Sequence, residues 1–130
     1  MATLTHAAAR YRATQVQASS PLERIVLLYD GAIRFMDTAK EAIGRRDIPA
    51  RRDALSRALA IIGQLKGTLD MERGGEVAAS LDRLYGYVTS RLLDSARQQD
   101  ARPIDECLTI LQTLRDGWRS IAAEAQRQSA

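Results

Sequence analysis

The sequence predicts an all-α fold, an antiparallel up-down-up-down four-helix bundle. Apolar residues recur with helical spacing in four segments, and connections of a few residues that contain glycine or proline separate these segments. No segment long enough for a strand alternates between apolar and polar residues. Short connections make successive helices antiparallel neighbours. A chain of 130 residues is most simply one domain. We expect an N-terminal arm at residues 1–18, the bundle at 19–123 and a frayed tail at 124–130.

The first helix has the clearest start signal in the chain. Ser20 is suited to the N-cap, Pro21 to the first helical position and Glu23 to the third position of a capping box. We expect this helix to end near Ile43, before Gly44. Its main apolar face comprises Leu22, Ile25, Val26, Tyr29, Ile33 and Met36.

The other three helices follow from the same periodicity. The second begins near Asp47 and ends near Asp70, and the double glycine at 74–75 then predicts a turn before the third. A polar turn and Pro103 precede the fourth. The predicted inward faces are Leu55, Ala58, Leu59, Ile62, Leu65 and Leu69 in the second helix, Val77, Leu81, Leu84, Tyr85, Val88 and Leu92 in the third, and Ile104, Cys107, Leu108, Leu111, Leu114, Trp118 and Ile121 in the fourth.

Residues 1–18 are polar and rich in alanine, which predicts a mobile, partly helical arm; a frayed terminus is the plainer interpretation. Tyr11 and Val16 are the side chains that could dock this arm. We find no signal-peptide pattern in it, no apolar run long enough to span a bilayer, and only one cysteine in the chain. We therefore expect a cytosolic protein without a disulfide and without membrane insertion.

The residue types that carry catalysis are scarce. His6 is the only histidine and lies in the arm, whereas Cys107 lies on an apolar face, where a cysteine is usually a small buried hydrophobe. No phosphate loop, metalloprotease motif or CxxC pair occurs. The sequence thus predicts no catalytic residue, metal or cofactor, and the apolar inward faces argue against a small mutase-type enzyme.

Nucleic-acid binding is also disfavoured. The net charge is +3. Four arginines lie close together in the sequence, at positions 45, 46, 51 and 52, but Asp47 and Asp53 lie among them. No aromatic residue accompanies them to stack on bases. We interpret this segment as a solvated corner between two helices, so that no nucleic-acid partner is predicted.

Apolar surface beyond the needs of one face is the remaining feature. Leu28 and Phe35 form a second stripe on the first helix with Gly31 between them, and Tyr87 lies off the main face of the third. A helix that meets two neighbours needs a broad apolar arc, which could absorb this stripe. The alternative is a groove that binds an apolar segment of a partner. Periodicity does not choose between them.

Several segments in order resemble one protein family, the flagellar secretion chaperone FliS. The likeness is carried by Tyr11 and Val16, residues 19–23, residues 28–33, residues 61–65, residues 68–70, residues 74–78, residues 84–87, Arg91 and Leu92, and residues 114–118. These segments span about residues 11–121.

The resemblance implies a cytosolic, non-enzymatic chaperone. Such a protein holds the C-terminal segment of flagellin, prevents premature polymerisation and presents its client to a component of the flagellar export gate. The arm in this family can cover part of the client groove. We therefore expect the partner-binding residues to be Tyr11, Val16, Leu28, Gly31, Phe35, Tyr85, Tyr87 and Trp118. A structural bundle that self-associates, for example as a homodimer, remains the main alternative.

Overall fold

The computed structural model describes residues 20–129, and these form four helices and no strand. The helices are α1 (Pro21–Gly44), α2 (Ile48–Gly67), α3 (Met71–Gln98) and α4 (Arg102–Ser129). Three residues join each helix to the next, which makes successive helices antiparallel. Helix α1 packs on α2 and α4, and α3 packs on the same two helices. The predicted all-α four-helix bundle is confirmed.

The predicted capping box begins α1. The Glu23 amide donates to Ser20 Oγ over 3.1 Å, and the Ser20 amide donates to Glu23 Oε2 over 3.3 Å. Pro21 occupies the first turn, where its missing N–H leaves no bond unmade. The capping residues predicted from the sequence are therefore the ones that begin α1 in the structure.

Replacing the cap tests how much it stabilises the bundle. Ser20→Ala removes the side-chain acceptor for the Glu23 amide and is expected to lower the free energy of unfolding by about 1 kcal/mol in urea titrations. The control is Ser90→Ala, at an exposed position inside α3, where alanine is the better helix former and no loss is expected. Equal losses in the two variants would contradict a capping role for Ser20.

The core lies along the bundle axis and is apolar apart from a few hydroxyl and thiol groups. Tyr29 of α1 and Tyr85 of α3 are 0% and 1% exposed, and their hydroxyl oxygens lie 2.5 Å apart across the bundle. Burial raises the pKa of both phenols, so both remain neutral and one hydroxyl donates a hydrogen bond to the other. Cys107 is fully buried, as predicted, with Sγ 3.7 Å from the carbonyl oxygen of Val88.

Burial of Cys107 makes stability depend on pH. Burial, followed by the neighbouring Glu106 carboxylate, raises the pKa of the thiol to about 12, against roughly 8.5 for an unfolded cysteine. The raised pKa contributes stability that is complete below pH 8.5 and is lost as the pH rises towards 12. Urea titrations should show roughly 2 kcal/mol more loss between pH 8.5 and 10.5 in the wild type than in Cys107→Val. Parallel pH profiles of the two proteins would contradict this.

Two boundaries differ from the predicted ones. The turn after α2 lies at residues 68–70, and α3 already begins at Met71, with Asp70 accepting hydrogen bonds from the Glu72 and Arg73 amides. The double glycine instead places a kink inside α3, because Gly75 has φ 52° and ψ −130°. Only glycine adopts this conformation without strain.

Residues 124–129, which were expected to belong to a frayed tail, continue α4 as helix to Ser129. Glu124 and Arg127 form an ion pair one turn apart, and the Gln126 side chain donates a hydrogen bond to Glu23 of α1. These contacts support the extra turns. The arm at residues 1–18, with Tyr11 and Val16, lies outside the described residues. No helix within residues 20–129 is both long and apolar enough to cross a bilayer.

Candidate binding groove

Two adjoining hollows form an apolar groove at one end of the bundle. The first, of about 350 Å³, is bounded by the start of α1, the α2–α3 turn, the start of α3 and the later part of α4. The second, also about 350 Å³, runs between α3 and α4. The two hollows share Val77 and Leu81. The larger apolar side chains that line this groove are Ile25, Leu69, Val77, Leu81, Leu84, Tyr85, Leu114 and Trp118.

Val77 is the most exposed large apolar side chain in the described part of the chain, at 68%. Leu81, Leu84 and Leu114 beside it are only partly buried. Burying apolar surface is favourable by about 25 cal/mol for each square ångström removed from water. The groove is therefore a surface that gains free energy when another apolar surface covers it.

The glycine pair explains why the groove opens here. A Cβ on Gly74 would lie 2.6 Å from the Ala78 Cβ, so that only glycine lets the first turn of α3 lie this close to the next. The left-handed backbone at Gly75 then breaks the helical axis. The first turn of α3 consequently departs from the line of the remaining helix, and no side chain within residues 20–129 covers Val77.

Two of the sequence-predicted residues line this groove. Trp118 of α4 is half-buried and packs against the core. Tyr85 is almost fully buried, and its hydroxyl is already paired with Tyr29. Trp118 thus forms a wall of the first hollow and Tyr85 lies at its floor.

Leu28, Gly31 and Phe35 lie on α1 away from the groove lining. Gly31 is buried, and a Cβ there would lie 3.2 Å from Ile61 Cδ1, so this glycine allows α1 and α2 to approach. Leu28 and Phe35 are half-buried against the core. The Arg57 guanidinium of α2 lies 5.7 Å from the centre of the Phe35 ring. The stripe therefore serves helix packing in part and still presents some apolar surface.

Tyr87 lies in a polar setting between α3 and α4. Its ring is 45% exposed, and its hydroxyl donates to Glu106, which also accepts from Arg91 Nε over 3.0 Å. These hydrogen bonds are the main reason that the pKa of Tyr87 is raised and the pKa of Glu106 is lowered. The structure therefore does not bring Tyr87 together with Tyr85 and Trp118 in one hollow.

Six of the eight larger apolar side chains in the groove were not predicted as binding residues from the sequence. Periodicity placed them on inward faces, because exposed and buried apolar positions follow the same helical spacing. The usable signal was the glycine pair at 74–75, which ends two residues before Val77. The missed residues are Ile25, Leu69, Val77, Leu81, Leu84 and Leu114.

The groove lining offers apolar contact and little else. Within residues 20–129, no three side chains of the metal-ligating types histidine, cysteine, aspartate and glutamate are grouped to hold an ion. The polar residues at its rim are Thr68, Asp70, Arg73, Glu76 and Ser80. This arrangement is suited to binding an amphipathic segment.

Residues 4–125 match the family model described as flagellar protein FliS. The chain belongs to the FliS family. It is 37% identical over 108 residues to the flagellar secretion chaperone FliSB of Pseudomonas aeruginosa, which covers 83% of this chain and 86% of that relative. It is 36% identical over 116 residues to flagellar secretion chaperone FliS of Salmonella typhimurium, covering 88% of this chain and 86% of the relative.

A solved structure shares the fold of this FliS-family chain. The crystal structure of a flagellar chaperone from bacteria has a TM-score of 0.75 and 21% identity, and the match covers 92% of this chain and 98% of that one. Family membership confirms the expectation of a flagellar export chaperone, and FliS proteins are chaperones rather than enzymes.

Proposed function

We propose that this protein is a cytosolic export chaperone that binds the disordered C-terminal segment of flagellin, prevents premature polymerisation and delivers the segment to the flagellar export gate. The observation that carries the proposal is the apolar groove, whose lining includes a valine that is 68% exposed. The FliS relatives support the choice of a flagellar client.

The chemistry of the groove fits a segment that orders on binding. Leu81, Leu84 and Trp118 supply apolar contact, whereas the rim carries both acidic and basic side chains. An amphipathic helix would lay its apolar face into such a groove. The ordering entropy of the client offsets part of the gain from burial, which keeps release at the gate feasible.

The proposed contact surface has two further parts. Leu28, Phe35 and Tyr87 add partly exposed apolar surface outside the groove, while Gly31 acts through the close approach of α1 and α2. The family resemblance adds Tyr11 and Val16 of the N-terminal arm to the proposed partner-binding residues. The client therefore contacts more than one face of the bundle.

Calorimetric titration of the full-length protein with a peptide from the cognate flagellin C terminus tests the proposal. We expect saturable heat with a dissociation constant in the micromolar range or tighter. Phe35→Ala is expected to weaken binding with little change in helical circular dichroism. No heat from soluble peptide and folded protein would overturn the proposal.

Self-association through the same surfaces is the alternative that light scattering tests. The exposed side chains of Val77 and Ile121, at 68% and 51%, supply apolar surface that a second copy could cover. A dimer that persists on addition of the flagellin peptide would favour a structural bundle. A monomeric complex with one peptide would favour the chaperone.

A further inference from the structure

A second cavity lies at the other end of the bundle from the apolar groove. Its volume is about 440 Å³, and it is formed where the end of α1, the start of α2 and the end of α3 meet. We call it the corner cavity. Its lining comprises Ala42, Ile43, Arg46, Asp47, Ile48, Arg51 and Gln99.

Arg51 is the unusual side chain of this cavity. It is only 7% exposed, its Nε atom is fully buried, and no hydrogen bond to that atom is made within residues 20–129. Arg91 and Arg115, which are half-buried, have carboxylate partners in Glu106 and Asp30. No described carboxylate lies within ion-pair distance of the Arg51 guanidinium. Arg115 Nε also lacks a hydrogen bond, but the Arg115 guanidinium has an ion-pair partner, whereas the Arg51 guanidinium lines the corner cavity without one among residues 20–129.

The charged side chains that line the corner cavity have a net charge of one positive unit. Arg46 and Arg51 bring two cations and Asp47 one anion. The Asp47 carboxylate is already used, since Oδ1 caps α2 by accepting from the Ala50 amide over 3.1 Å. Gln99 adds an amide group, and Ala42, Ile43 and Ile48 add apolar surface. The lining thus combines surplus positive charge with an aliphatic wall.

We propose that the corner cavity binds a monoanionic carboxylate carried on a short aliphatic stem, with Arg51 as the ion-pair partner. A planar carboxylate matches the planar guanidinium, which presents its donors as a fork. One negative charge balances the surplus, whereas a phosphate dianion exceeds it. The ligand is a free organic acid or the glutamate side chain of a peptide, and both offer the same group.

Titration of the full-length ¹⁵N-labelled protein with sodium butyrate tests the site by nuclear magnetic resonance. We expect saturable shifts of the Arg46, Arg51 and Gln99 amide signals. Sodium chloride at the same ionic strength should produce only small, non-saturating shifts. Equal responses to the two salts would overturn the proposal.

Arg51→Met removes the charge and keeps most of the side-chain volume. We expect its butyrate dissociation constant to rise at least tenfold, as about 1.4 kcal/mol or more of charge-assisted bonding is lost. Its melting temperature without butyrate should not fall, because an unpaired buried charge has been removed. The matched control is Arg52→Met, at the adjacent exposed position, which should bind butyrate as the wild type does. Wild-type affinity in Arg51→Met would overturn the proposal.

Two further arms complete the experiment. If Arg51→Met does not fold, Arg46→Met takes its place. We expect Arg46→Met to lose butyrate affinity several-fold, and an unchanged affinity would contradict the site.

The capped tripeptide acetyl-Ala-Glu-Ala-amide is compared with butyrate: tighter binding of the peptide assigns a glutamate side chain, and weaker binding assigns a free acid. Inorganic sulfate, which is a dianion at neutral pH, should not displace butyrate at equal concentration, and displacement by sulfate would overturn the choice of a monoanion.

Discussion

Val77→Asp is expected to weaken binding of the flagellin C-terminal peptide at least tenfold while leaving the bundle folded. Val77 is shared by both hollows of the groove and is 68% exposed, so a carboxylate there remains hydrated in the free protein. Covering it with an apolar client segment would strip that water without providing a partner, at a cost of roughly 2 kcal/mol or more. Calorimetry measures the affinity, and circular dichroism checks the fold.

Leu93→Asp is the matched control for this experiment. Leu93 is also an exposed apolar residue of α3, at 48%, but it does not line the groove. It carries the same change of charge on the same helix, so its peptide affinity should stay within about twofold of the wild type. Equal losses in Val77→Asp and Leu93→Asp would indicate a general charge effect and would remove the groove from the proposed mechanism.

Ile62→Ala is expected to lower the free energy of unfolding by about 3 kcal/mol. Ile62 lies in α2 and is fully buried in the core cluster. The substitution removes apolar burial and leaves a cavity that the packed helices only partly fill. Thermal unfolding should show a melting temperature lower by roughly 10 °C.

Ile121→Ala supplies the control for core packing. The same atoms are removed from a side chain that is 51% exposed in α4, so the expected change is within about 0.5 kcal/mol. A loss at Ile121 as large as that at Ile62 would show that the end of α4 carries packing that its exposure does not reveal.

Helix starts were predictable because they depend on residues close together in the chain. Ser20 and Glu23 form the expected capping box three residues apart, and Asp47 caps α2 near its predicted start. Cys107 was also predicted correctly as a buried thiol, because its neighbours on the same face of α4 are apolar.

The groove was only partly predictable. Trp118 and Tyr85 were expected there, but Val77 was assigned to the core by the same spacing that correctly assigned Val88 and Leu92. Helical periodicity shows which residues share a face and says nothing about whether another helix covers that face. At the start of α3, the kink at Gly75 decides that Val77 stays uncovered.

Arg51 illustrates the same limit for a charged side chain. In sequence it belongs to a solvated corner with Arg45, Arg46 and Arg52, yet the structure buries it to 7% exposure. That burial occurs where the corner between α1 and α2 meets Gln99 at the end of α3, and Gln99 is distant from that corner in the chain. No local pattern distinguishes Arg51 from the exposed Arg52 beside it.

The four helices, the cap at Ser20, most of the apolar core positions and the FliS family could be predicted from the sequence, since each depends on local spacing or on the order of segments along the chain. The three-dimensional packing was needed to show that Val77 faces solvent, that Gly31 serves the contact of α1 with Ile61 of α2, and that Arg51 lines a cavity. The physical reason is that burial depends on how the helices are placed against one another, and that placement follows from packing across the whole bundle.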